Sequence, residues 1–166
     1  MGFKILLSNQ VTGLIIQGEN QMIKIESSVT INRPVEDIFE FIADNDNDTL
    51  WQSGVTESEQ PTGSMGVGAT YKQVSKVVGR EIESTIEVTE YDPNRRFAFK
   101  TTSGPLPMAG SFTCEQVAEG ETKVHILGEG ESGGLFKLAE PVINKMVQRE
   151  WETNLANLKD LMEAQE

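Results

Sequence analysis

The sequence predicts an α+β domain in which a curved seven-stranded antiparallel sheet wraps around one long C-terminal helix, with two short helices after the first strand. Three observations carry this reading. Apolar and polar residues alternate in short segments through most of the chain; Gly, Pro and Asn punctuate the joints; and the final stretch changes to helical spacing. Strands joined so tightly are antiparallel neighbours. A sheet with one apolar face and a helix with an apolar stripe are each completed by the other.

Length and charge narrow the functional classes. The 166 residues fit one domain with a core large enough to need neither metal nor disulfide. Fourteen Lys and Arg against 26 Asp and Glu give a net charge of -12, which repels phosphate backbones and anionic lipid surfaces, so nucleic acid is not an expected partner. Cys114 is the only cysteine, no internal disulfide can form, and a cytoplasmic location is expected. Residues 1–21 differ in pattern from the rest of the chain. Ser8, Asn9, Gln10 and Thr12 interrupt their apolar run, so they form neither a signal peptide nor a membrane span. They are expected to be an N-terminal extension, either an appendage or an extra strand or helix docked on a domain spanning 22–163.

The domain opens with a strand from Met22 to Ile31, where Ile23, Ile25, Val29 and Ile31 alternate with Lys24, Glu26, Ser28 and Thr30. Ser27 shares the inward parity. Pro34 suits a first helical turn, and Val35, Ile38, Phe39 and Ile42 follow at helical spacing, which predicts a helix over 34–43. A second helical turn is expected over Asp46–Trp51. Strands then follow near 53–59, 68–78, 80–91, 95–103, 109–118 and 122–130, separated by Pro61 with Gly63, Gly66 and Gly68, by Gly79, by Asp92-Pro93-Asn94, by Gly104-Pro105, and by Gly120.

The last helix is expected from Gly133 to about Glu163. Leu135, Leu138, Val142, Met146, Leu155, Leu158 and Met162 lie near one stripe, with Ile143 and Val147 widening it and Trp151 extending it. Leu138 and Met146 are therefore expected to be buried against the sheet. Pro141 falls inside this pattern, where it lacks an N–H for the carbonyl of Lys137, so the helix is expected to kink there by more than roughly 20° into a segment 134–140 and a longer one from Pro141.

The Ile31-Asn32-Arg33-Pro34-Val35-Glu36-Asp37-Ile38-Phe39 stretch, Trp51, the Glu90-Tyr91-Asp92-Pro93-Asn94-Arg95-Arg96-Phe97 turn and the Gly133-Gly134-Leu135-Phe136 helix start resemble the polyketide cyclase/dehydrase-like branch of the START-like (SRPBCC) superfamily over residues 22–163. The resemblance implies a helix-grip fold with a deep hydrophobic cavity between sheet and long helix. It also implies a ligand such as a lipid, a polyketide or a quinone-like molecule, or a cyclisation or dehydration reaction.

Strand parity then names the expected cavity lining. Glu81, Glu83, Glu87 and Thr89 form a polar outer row, leaving Ile82, Ser84, Ile86 and Val88 inward. Lys72 and Lys76 place Tyr71, Gln73, Ser75 and Val77 inward, and Lys100 does the same for Phe97 and Phe99. Phe112, Cys114, Val124 and Ile126 complete the sheet side, with Ser27, Val29 and Ile31 from the first strand and Leu138, Val142 and Met146 from the helix. Trp51, Met65, Leu106, Met108 and Phe136 are expected to ring one end of the cavity or simply to cap the core. The segment carrying Leu135, Phe136 and Leu138 is expected to lean over it beside Trp51 and Met108 as a lid.

Catalytic patterns are weak by comparison. Asp44, Asp46 and Asp48 have the spacing of a calcium loop, but Thr49 and Val55 stand where its glycine and bidentate glutamate belong, so a helix-capping loop is expected. His125, the only histidine, falls on the outer face, and Cys114 reads as a buried structural thiol. No metal and no cofactor are expected, and no phosphate-binding glycine loop is present. Tyr71, Gln73, Ser75 and Ser84 could orient a ligand or satisfy one another. The expected function is binding or carrying a small hydrophobic molecule; the alternative is a metal-free cyclase or dehydratase in the same cavity, and a protein-docking module is a third class.

Overall fold

A computed structural model describes residues 22–131 and 138–165. The strands are β1 (Met22–Ile31), β2 (Val55–Ser58), β3 (Thr70–Val77), β4 (Arg80–Asp92), β5 (Arg96–Ser103), β6 (Met108–Ala118) and β7 (Glu121–Glu131). They form one antiparallel sheet in the order β1-β7-β6-β5-β4-β3-β2. The chain leaves β1, crosses through α1 (Val35–Ala43), a 3-10 turn (Asn45–Asn47) and α2 (Asp48–Trp51) to the far edge, then returns strand by strand to lie beside β1. Register shifts at Val55/Glu57, Thr85/Ile86, Val88/Glu90 and Gln116/Ala118 place bulges in this path, and bulges bend and twist a sheet. This is the helix-grip α+β fold that the sequence predicts, closed by α3 (Glu140–Ala164).

The long helix is attached along the open edge of β1 by its own polar side chains. Lys24 N donates to Asn144 Oδ1 (2.8 Å) and Asn144 Nδ2 donates to Met22 O (2.9 Å). One turn on, Glu26 N donates to Gln148 Oε1 (3.2 Å) and Gln148 Nε2 donates to Glu26 O (2.8 Å). Lys159 Nζ reaches Thr30 O (2.6 Å), and Asn32 N donates to Glu163 Oε1 (2.8 Å). Backbone groups that an edge strand would leave open are thus occupied, which satisfies them and removes a template for strand pairing.

That attachment sets the rotation of the helix and corrects the stripe read from sequence. Ile143, Val147, Leu155, Leu158 and Met162 are buried, but Val142 and Met146 are 46% and 43% exposed and Leu138 is 37% exposed. Met146 lies about 120° around the helix from Leu158, so one narrow stripe cannot hold both. Pro141 corrects the second expectation. The helix begins at Glu140 with Ala139 as its N-cap, and both Val142 N (2.9 Å) and Ile143 N (3.2 Å) donate to Ala139 O. Proline in a first turn gives up an N–H that has no intrahelical acceptor there, so no kink is required at Pro141. Residues 132–137, including Leu135 and Phe136 of the expected lid, lie outside the described residues, as do residues 1–21 of the expected extension.

The core joins the concave side of the sheet to α1 and α3. Ile31, Val88, Cys114 and Val124 share one buried cluster with Val35, Ile38, Phe39, Leu155, Leu158 and Met162. The opposite face carries the solvated charges expected of it, including Lys72–Glu83 (3.8 Å) and Lys100–Glu87 (3.2 Å). His125 is there too, with its Nε2 3.4 Å from Glu26. Among the described residues no helix is long and apolar enough to cross a membrane.

Candidate functional site

The concave face is packed at one end and open at the other. The open end is a partly enclosed cavity of about 140 Å³ between the sheet and the first half of α3. All seven strands contribute to its lining, with Val55 on β2, Tyr71, Gln73 and Ser75 on β3, Ile82, Ser84 and Ile86 on β4, Phe97 and Phe99 on β5, Met108 and Phe112 on β6, and Ile126 on β7. Ile23 and Ile25 of β1, Ile42 of α1 and Val147, Glu150, Trp151 and Asn154 of α3 complete the wall. Trp51 stands behind it, with its ring edge-on to Phe112 (5.7 Å) and to Trp151 (6.2 Å).

Two glycines help to shape the floor. Ile25, Gly128, Gly110 and Phe99 lie in register across four strands. A Cβ at Gly110 would stand 3.0 Å from Phe99 Cζ, and one at Gly128 would stand 3.5 Å from Ile25 Cδ1. Their hydrogens let those two side chains lie close over the sheet, in the manner of glycine at a close approach.

One end of the cavity is polar and centred on Asp48. The carboxylate is buried, yet it accepts from Asn45 Nδ2 (3.1 Å), Gln52 Nε2 (3.0 Å), Ser58 Oγ (2.8 Å) and Gln73 Nε2 (3.1 Å). Burial raises its proton affinity above the ordinary aspartate range, against the opposing effect of these bonds. Burial, reinforced by the Asp48 charge, also raises Tyr71. Burial raises Glu150 as well. Asn45 Oδ1 is a buried acceptor without a donor. Asn154 accepts from Ser53 N and Ser53 Oγ at 2.9 Å each, tying α3 to the segment after α2.

Sequence parity gives the inward direction, and packing decides which inward residues reach the cavity. Tyr71, Gln73, Ser75, Ser84, Ile86, Phe97, Phe99, Met108, Phe112 and Ile126 lie on the wall. Ile31, Val88, Cys114 and Val124 point inward but are buried in the packed core, where the Cys114 thiol is pushed up to about 12 by burial. Ser27 and Val29 are half-buried outside the wall, and Trp51 is one layer behind it. Leu138, Val142 and Met146 are off the wall because the helix presents Ile143 and Val147 instead.

Sequence reading missed Asp48, Asn45, Gln52, Glu150 and Asn154. The Asp44-Asp46-Asp48 spacing does include a cap, since Asp46 N donates to Asp44 Oδ1 (3.1 Å), but its third member turns into the domain. Among the described residues no group of three or more His, Cys, Asp or Glu could hold a metal ion.

Comparison with known proteins agrees with this architecture. Residues 22–163 match the family described as polyketide cyclase / dehydrase and lipid transport, and the chain belongs to that family. No curated protein matches the sequence significantly. Among solved structures, a START-superfamily protein of Mycobacterium smegmatis superposes with a TM-score of 0.71 at 11% identity, covering 84% of this chain and 97% of that one. The Zhui aromatase/cyclase of a Streptomyces species gives 0.70 at 18% identity, covering 86% and 94%. A Thermus thermophilus protein gives 0.70 at 19%, covering 86% and 99%. These similarities establish a START-like fold.

Proposed function

We propose that the protein binds a small hydrophobic molecule between the first half of α3 and the sheet. The observation that carries this is the unfilled cavity of about 140 Å³, whose wall is mostly aliphatic and aromatic. A cavity of about 150 Å³ accommodates benzene, so a ligand built on a single ring is of the right scale for this one. Family membership supports the same reading. Native mass spectrometry of the purified protein, followed by solvent extraction, should reveal a bound small molecule or a site that fills stoichiometrically with an added aromatic. Failure of every such ligand to saturate would contradict it.

A second reading is a metal-free cyclase or dehydratase. It is favoured by two carboxyl groups, Asp48 and Glu150, on one wall with proton affinities raised by burial, the direction needed for a general acid near neutral pH. In that reading Asp48→Asn and Glu150→Gln each abolish loss of water from a β-hydroxy ketone while leaving the fold intact. Equal turnover by both variants would exclude it.

A further inference from the structure

Glu150 is a wall residue whose carboxylate has no described protein partner. It makes no hydrogen bond or ion pair with a described residue, whereas Asp48 accepts four hydrogen bonds. The space it occupies is provided by Gly54, where an added Cβ would collide with Glu150 Oε1. Gly54 does not have a positive φ, so the backbone itself does not demand glycine there. What the missing side chain leaves is room for a carboxylate on the wall.

The rest of the wall has the same electrical character. Among the described residues it contains no Lys, Arg or His, and its ionisable members there are Asp48, Tyr71 and Glu150. Asn45 Oδ1 adds a further buried acceptor without a donor. Phe97, Phe99, Phe112 and Trp151 present aromatic rings, whose faces attract cations. The net charge of -12 draws cations toward the molecule and repels anions. A carboxylate entering this cavity would lose water and meet no compensating charge among the described wall residues. A protonated amine would meet an unpartnered carboxylate.

We propose that the cavity selects a small aromatic amine, with its ring among Phe97, Phe99 and Phe112 and its protonated nitrogen at Glu150, and rejects apolar carboxylates. This rests on the reading of the cavity as a site for a small hydrophobic molecule. A charge-assisted hydrogen bond to Glu150 supplies the preference, and the rings supply the fit.

Calorimetric titrations near neutral pH with benzylamine, benzyl alcohol and phenylacetate separate the two ideas, because the probes share a ring and differ in charge. The expected order is benzylamine tighter than benzyl alcohol by at least about tenfold, with phenylacetate showing no saturable binding. Glu150→Gln, and independently Gly54→Ala, which displaces the carboxylate, should bring the amine to within about threefold of the alcohol. Equal affinity for amine and alcohol in the unmodified protein would overturn amine selection and leave the hydrophobic site standing. A preference that survives both substitutions would also overturn it. Binding of none of the three probes would overturn both readings.

Discussion

The two halves of α3 have similar helical geometry and opposite surroundings. From Asn154 onward, Leu155, Leu158 and Met162 are buried in a continuous core with the sheet and α1. From Glu140 to Trp151, only Ile143 and Val147 are buried, Val142 and Met146 face solvent, and Glu150 and Trp151 border the cavity. The difference shows that one helix both fixes the domain and leaves a gap in it. The first half is positioned by the amides of Asn144 and Gln148 on β1, so it can stand beside a cavity without filling it.

The largest expected effect lies in the packed half. Leu158→Ala should destabilise by about 3 to 5 kcal/mol, because it removes a fully buried side chain and leaves a void that close-packed neighbours only partly close. Urea titration measures this, and a loss below about 1 kcal/mol would mean that the two halves do not differ as described.

A smaller effect distinguishes the cavity's polar end. Asp48 binds its proton more tightly in the folded than in the unfolded chain, so its contribution to stability is full below the unfolded carboxylate range near about 4 and is lost as pH rises through the raised folded value. Stability measured across that interval should fall less steeply in Asp48→Asn than in the unmodified protein. Glu150 acts in the same direction and remains in the variant. Glu163 acts oppositely: the bonds from Asn32 N and Lys159 hold its proton affinity down, so its effect appears below the ordinary glutamate range. A slope unchanged by Asp48→Asn would contradict the assignment.

The smallest effects belong to the exposed half. Met146→Ala should alter stability by no more than about 0.5 kcal/mol, the range for surface substitutions. Pro141→Ala should also change it by less than about 1 kcal/mol, since the proline occupies a first turn. A loss of about 2 kcal/mol or more in Met146→Ala, measured in urea, would restore the stripe drawn from the sequence.

The fold was legible because it rests on local alternation and punctuation. Strand parity separates Glu83 from Ser84 and Lys72 from Tyr71, since a side-chain period of two needs no tertiary knowledge. The phase of α3 was not legible. Val142 and Met146 are as apolar as Ile143 and Val147, and the choice between these neighbouring faces is made by Asn144 and Gln148, polar residues whose partners lie 122 residues away. The cavity's polar end was hidden for a related reason. Asp48 in an Asp-rich stretch reads as solvated until Ser58 and Gln73, distant in sequence, are brought to its carboxylate. Glu150 reads as surface charge until Gly54 is seen to make room for it.

Binding of a small apolar molecule in the gap beside the first half of α3 can be read directly by a titration with benzyl alcohol followed by tryptophan fluorescence. Trp151 lies on the wall and Trp51 touches its ring, so occupancy should change the emission. The unmodified protein should show saturable single-site binding. Val147→Phe, which adds a ring where α3 faces the cavity, should abolish that binding while the far-ultraviolet circular dichroism stays unchanged. Unsaturable signal in the unmodified protein, or equal affinity in a folded Val147→Phe variant, would contradict the account.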